Sequence, residues 1–116
     1  MISHMSIKSK IINCVYRLLG YNEFYIQRSS QWSKVRKKHL SSQPCCAACG
    51  SCKKPEVHHI VPYHIDPSKE LDPDNLITLC DKYCHFAIGH LMSYHSWNKN
   101  VSQDAAIYLE KIKNRP

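Results

Sequence analysis

No stretch of this chain is both long and apolar. None of its hydrophobic runs approaches the roughly 20 residues that a membrane-spanning helix needs, so no membrane partner is expected. Acidic side chains are also scarce: 9 Asp and Glu stand against 16 Lys and Arg, for a net charge of +7. The shortage lies almost wholly in the first half. Residues 1–54 carry ten Lys/Arg and Glu23 alone, a net +9, whereas residues 55–116 carry six Lys/Arg against eight acids, a net −2. A basic half beside a mildly acidic one offers a face to a polyanion and points towards nucleic acid. Internal repeats and low-complexity tracts are absent, and 116 residues suffice for one small domain but hardly for two. The N-terminal apolar positions are interrupted by Lys8, Lys10 and Arg17, unlike a secretory leader, so a cytoplasmic setting with reduced thiols is expected.

What the chain does have is cysteine, seven in all. Its apolar residues come in short runs, so the core is small, and small cores need a staple. With reduced thiols that staple is a metal rather than disulfides.

The coarse order is helix, helix, knuckle, strand, loop, strand, helix, tail helix. Ile7, Ile11, Val15 and Leu18 recur at helical spacing over 6–19, and Gly20 stops that helix. The stretch 21–29 stays unassigned. Ser30 is read as the N-cap of a helix over 31–40, with Trp32, Val35 and His39 or Leu40 inward and Arg36, Lys37 and Lys38 mostly outward. Pro44 follows the end of that helix. Residues 56–61 and 76–79 read as short strands around a polar loop at 62–74 that contains Pro67 and Pro73. A helix should begin near Asp81 and carry His85. A last one should run from Asp104 to Lys113, with Ala105, Leu109 and Ile112 inward.

Cys46-x-x-Cys49 and Cys80-x-x-x-Cys84 are two close pairs, each able to grip one side of a tetrahedral ion. Gly50 lets the chain curl back over the first pair. Cys45 and Cys52 compete for the same role, since Cys45 neighbours Cys46 and Cys52 forms a second x-x spacing with Cys49. Cys14 lies within the first helix and reads as packing.

His58 and His59 are adjacent on a strand, so their rings point to opposite faces, and one can bind a metal while the other addresses a substrate. His85 follows Cys84 directly. A metal clamp on the four cysteines would carry His85 up to His58, so that two imidazoles share a second ion with open positions. Asn75 precedes the second strand. Its carboxamide can donate and accept, so it can pin the histidine-bearing loop and fix the tautomer of a base.

His58-His59, Asn75 before a strand and Cys84-His85 at a helix start, all within two Cys pairs, resemble the HNH endonuclease family of ββα-metal (His-Me finger) nucleases. The resemblance covers residues 32–99. Trp32 and Arg36 ahead of the knuckle match the family's usual lead-in. The stretch from Cys84 to His90, with Trp97, Asn98 and Asn100 after it, is similar to a phage-type subgroup with a structural zinc.

The resemblance implies an α+β fold: a small ββα-metal core with zinc-binding Cys pairs, flanked by N- and C-terminal helices. The corresponding division is an N-terminal helical extension (1–29), a nuclease domain (30–100) and a C-terminal helix packed on it (101–116). It implies His59 as general base, Asn75 as the motif's central Asn, His58 and His85 as ligands of a catalytic ion, and Cys46, Cys49, Cys80 and Cys84 as ligands of a structural Zn²⁺. His90 lies five residues past His85, where some members have a ligand four residues past. It is left as a third ligand, a phosphate contact or a helix-end residue. Many members have Asp where His58 stands, and the Cys80–Cys84 gap is one residue longer than the common x-x spacing.

The activity implied is metal-dependent hydrolysis of DNA phosphodiesters by nicking, leaving 5′-phosphate and 3′-hydroxyl ends. Lys34, Arg36, Lys37, Lys38, Lys53 and Lys54 would hold phosphates without reading bases, so specificity should be weak. The catalytic ion would be Mn²⁺, Ni²⁺, Mg²⁺ or Zn²⁺, and nitrogen ligands favour the transition metals over Mg²⁺. DNA is the expected partner of a monomer in a bacterial or phage-infected cell, and packaging or other phage proteins are the partners that the resemblance suggests. Two other readings compete: a non-catalytic zinc-stabilised DNA-binding module and a phage assembly protein. The first has no use for His58, His59, Asn75 and His85 together, and in the second they would form a vestigial or auxiliary nuclease site.

Overall fold

A computed structural model of the chain describes residues 29–116. The helix expected over 6–19, Cys14 and all but the last residue of the 1–29 extension lie outside the described residues. Residues 34–116 form one compact unit.

Helix α1 runs Trp32–Ser42. Its start is fixed by Ser29, one residue before the expected cap: the Ser29 hydroxyl accepts from the Gln31 amide (3.2 Å) and its carbonyl from the Trp32 amide (3.0 Å). At the other end the hydroxyls of Ser41 and Ser42 donate to the carbonyls of Lys38 (2.7 Å) and His39 (3.0 Å), which satisfies acceptors that a helix end leaves over. His39 is buried, Trp32, Val35 and Leu40 are half-buried, and Lys34, Lys37 and Lys38 are exposed, as the spacing predicts.

The knuckle that follows closes on itself. The Cys46 amide donates to Ser51 (2.8 Å) and the Gly50 amide to Cys46 (3.0 Å), with Gly50 in the left-handed region at φ +79.

Strands β1 (Pro55–His59) and β2 (Leu76–Cys80) pair antiparallel, with Pro55 opposite Cys80 and His59 opposite Leu76. Every residue of β2 is buried. Its one polar side chain, Thr78, is satisfied inside: it donates to the Gln43 carbonyl (2.6 Å) and accepts from His39 Nε2 (3.0 Å). The long connection between the strands folds into two short 3₁₀ turns. Asp66 and Asp72 accept from the amides of Ser68 (3.1 Å) and Asp74 (2.9 Å), and Pro67 and Pro73 open each turn.

The helix expected from Asp81 is different in kind. Residues 81–83 form a turn, α-type bonds link the Ala87 amide to the Tyr83 carbonyl (2.8 Å) and the His90 amide to the Phe86 carbonyl (3.3 Å), and His85–Gly89 is a π-helical turn. Helix α2 runs Val101–Lys113 and so begins three residues before the expected Asp104. The early start buries Val101 with Ala105, while Leu109 and Ile112 are half-buried.

The core gathers Ala48, Ile77, Leu79, Val101 and Ala105 around the buried cysteines. Among the described residues this core is small; full burial of a Leu such as Leu79 contributes about 1.5–3 kcal/mol, and a core of this size gains from a clamp. This is the expected α+β architecture: a two-stranded sheet, helices and a cysteine cluster. Among the described residues no helix is long and apolar enough to cross a membrane.

Candidate metal centres and active site

Cys46, Cys49, Cys80 and Cys84 converge, with their sulfurs within 4.8 Å of one another. The knuckle supplies the first two, and the end of β2 with the turn after it supplies the others. Cys49 and Cys80 Sγ are 3.7 Å apart. Backbone amides point at the sulfurs: those of Ala48 and Cys49 at Cys46, and that of Cys84 at Cys80, each at 3.4 Å. Such donors suit thiolates. Burial pushes the Cys80 thiol up, but the amides of Cys84 and Tyr83 outweigh it and bring it down to about 7. Burial and the neighbouring thiols of Cys80 and Cys46 push Cys84 far up, because without a cation no second negative charge fits among them. Four sulfurs in this arrangement can hold one metal ion.

The rival cysteines are accounted for. Cys45 and Cys52 form a disulfide, with Cα atoms 4.1 Å apart, because the closed knuckle returns the chain to its starting point. This corrects the expectation that all thiols stay reduced, and it removes both residues from competition as ligands.

The second cluster lies at the other end of the sheet. His58 from β1 meets His85 and His90 from the two ends of the π turn, with ligand nitrogens within 4.8 Å. Ring centroids are 5.2 Å apart for His58–His85, 4.8 Å for His58–His90 and 4.9 Å for His85–His90. The five-residue spacing of His85 and His90 finds its explanation here. In the π turn the His90 amide bonds the His85 carbonyl (3.1 Å), so residues five apart share a face as residues four apart do in an α-helix. Their Nε2 atoms are 3.3 Å apart, close to the ~3.4 Å that two nitrogens take on one tetrahedral ion with bonds of about 2.1 Å.

Burial, then the charges of His85, His90 and His59, lower His58 to about 3. Burial and then His85 lower His90 to about 4, against a raising effect of the Ser96 backbone. Both rings are therefore neutral near pH 7, the form that ligates metal. Among the described residues, His90 Nδ1 is the one buried side-chain polar atom without a hydrogen-bond partner. The residues fit a cation: three imidazoles converge, and the two most strongly desolvated, His58 and His90, are neutral.

Gly89, which carries no signal in the sequence, makes that convergence possible. A Cβ there would stand 3.1 Å from His58 Nδ1 and 3.2 Å from Leu79 Cδ1. Asn98 holds the turn in place, donating from Nδ2 to the Ile88 carbonyl (2.9 Å) and to Asp104 (2.8 Å) of α2. Trp97 is half-buried and ties down the end of β1 by donating to the Ile60 carbonyl (2.9 Å).

His59 is buried too, but its neighbourhood is different. Its Nε2 lies 2.8 Å from the Glu70 carbonyl. A carbonyl only accepts, so Nε2 carries the proton and Nδ1 is the basic nitrogen. Asn75 holds this arrangement together. Its Oδ1 accepts from the Val61 amide (2.7 Å), and its Nδ2 donates to the carbonyls of Val61 and Lys69 (both 3.0 Å). Val61 follows the strand of His59, and Lys69 precedes Glu70, so one carboxamide fixes both partners of the His59 bond.

Of the six basic residues singled out, Lys34, Lys37, Lys38, Lys53 and Lys54 are exposed. Arg36 is half-buried and has a local structural role instead. It pairs with Glu56 (3.6 Å) and reaches the Pro55 carbonyl (3.5 Å), which brings α1 up to the Lys53–Lys54 turn.

Two antiparallel strands, the π-helical turn packed across them, a thiol clamp and an imidazole cluster correspond to the ββα-metal architecture. The family model for HNH endonucleases matches residues 46–91, which hold every one of these elements. No curated protein and no solved structure matches the chain.

Proposed function

We propose that this protein is a metal-dependent DNA endonuclease that hydrolyses phosphodiester bonds by nicking, with weak sequence preference and 5′-phosphate and 3′-hydroxyl products. The nuclease domain would span 30–100, with the helix of 101–116 packed on it. His58, His85 and His90 would hold the catalytic divalent cation, and the four thiols a structural Zn²⁺. When bound, the catalytic cation stabilises the charge that develops on phosphoryl and leaving oxygens.

His59 acts as the general base. Its Nε2–H is anchored on Glu70, so Nδ1 accepts the proton of the attacking water. Asn75 is a positioning residue that keeps the ring and its anchor in register. The exposed lysines of α1 and of the 53–54 turn hold the phosphate backbone, and binding falls steeply with salt. A three-nitrogen site favours Mn²⁺ or Ni²⁺ over Mg²⁺.

The observation that carries this reading is the split between adjacent histidines: His58 joins two other imidazoles, while His59 is oriented by a carbonyl. The test is plasmid nicking across a titration of Mn²⁺, Ni²⁺ and Mg²⁺, for the wild type and His59→Ala. Loss of a general base should slow turnover by about 10²–10⁴-fold with the fold intact. Equal nicking by both proteins would remove His59 from the chemistry. DNA binding without any nicking would favour a non-catalytic module.

A further inference from the structure

The segment just after the imidazole cluster has a shape that the chemistry does not use. Leu91 and Met92 both adopt the left-handed backbone, at φ 51 and 67. That conformation is unfavourable for side chains of this bulk, and strain of this kind gathers at functional sites. It brings no return in packing, because Leu91 is 50% and Met92 66% exposed.

The segment is nonetheless pinned. The Met92 amide donates to the Phe86 carbonyl (2.9 Å) and the Ser93 amide to His90 (3.0 Å). The Tyr94 ring lies 4.8 Å from that of His90 and 4.9 Å from that of Phe86. The result is a fixed apolar knob on the rim of the cluster. The cluster itself is recessed, with His58 only 5% exposed. A phosphodiester in regular duplex DNA has to leave its ordinary path to reach it.

We propose that Leu91 and Met92 form a wedge that enters a base step of double-stranded DNA from the minor groove, beside the bond to be cut. The inference rests on the nuclease reading above. Leu and Met are among the side chains that partly unstack a step and kink the duplex. Leu91 and Met92 follow His90 directly in the chain, so the knob stands beside the cluster. Wedge and cluster thus address the same or neighbouring nucleotides. The charge favours this occupant over an apolar protein partner, since the chain carries a net +7 and five exposed lysines stand on α1 and the 53–54 turn.

The test compares the wild type with Leu91→Ala/Met92→Ala, with Mn²⁺, on an intact duplex and on one with a central abasic site, where the step is already loosened. The double variant should cut the intact duplex about tenfold more slowly or worse, and most of that deficit should disappear on the abasic duplex. In parallel, His59→Ala protein with its wedge intact should raise the fluorescence of 2-aminopurine in a bound duplex. Equal cutting of the intact duplex by both proteins would overturn the wedge and leave the nuclease reading standing, with the knob free for a protein partner. An equal loss on both duplexes would also overturn it. If the double variant does not fold, the fluorescence decides alone: a rise supports the wedge and no rise overturns it. A wild type that cuts no DNA with any of the three metals would overturn the nuclease reading, and the wedge with it.

Discussion

Two clusters occupy opposite ends of one short sheet, and they differ in donor, closure and support. At the Cys80 end, four sulfurs surround a point, three of the four residues are buried, and backbone amides point at the sulfurs. At the His59 end, three nitrogens converge, one from a buried residue and two from half-buried ones. Four thiolates complete a tetrahedron, whereas three imidazoles leave a place for water or phosphate. The contrast teaches that one end is built to be finished and the other to be used. A single peptide link joins them: Cys84 belongs to the first cluster and His85 to the second. The closed site thereby positions the open one.

That dependence can be broken from one side only. The largest effect is expected from Cys80→Ser. Structural zinc supplies about 10–16 kcal/mol in small domains, so the variant should unfold and lose both clusters, seen as collapse of the far-UV circular dichroism. A folded variant that still cuts DNA would show the clusters to be independent.

Gly89→Ala should act on the imidazole end alone. Its Cβ would crowd His58 and Leu79, so the cation should bind about 10–100-fold more weakly while four thiols still hold theirs. Isothermal titration with Ni²⁺ beside thiol-site occupancy measures both.

The third test uses pH. His58 and His90 sit at about 3 and 4, below the ordinary 6.5, so protons do not compete for them in the folded chain above those values. Cation affinity between pH 7 and 5 should therefore fall by no more than one proton's worth, about tenfold per pH unit. A two-proton slope would contradict the burial argument. The sign for stability is opposite to that of a salt-bridged histidine. The unfolded chain takes up protons near 6.5 and the folded chain does not, so each group removes up to ~1.4 kcal/mol of stability per pH unit as pH falls from 6.5 towards its folded value.

The smallest effect is expected from Arg36→Met. Its pair with Glu56 is about two-fifths exposed on both sides and should contribute less than about 1 kcal/mol, read by urea denaturation.

Much of this was legible in the residues. The Cys pairs, the two strands and the meeting of His58 with His85 follow from spacing and alternation, because local periodicity decides them. What was hidden depends on closure in three dimensions. The role of His90 turned on whether the backbone widened to a π turn, which no spacing rule reveals. Gly89 looked like any helix glycine until His58 was placed against it. The Glu70 carbonyl carries no side-chain signature at all. Cys46 and Cys49 stood out as the ligand pair, but the Cys45–Cys52 bond was obscured because both residues stood beside that pair as rival ligands.

The central claim is that one ion serves the fold and another the chemistry. Native mass spectrometry during mild chelation, run alongside circular dichroism and plasmid nicking, tests it directly. The account predicts a state with one zinc per chain that is folded and inactive, and that regains nicking when Mn²⁺ is added. Full nicking by that one-zinc state, or unfolding on loss of the first ion, would contradict it.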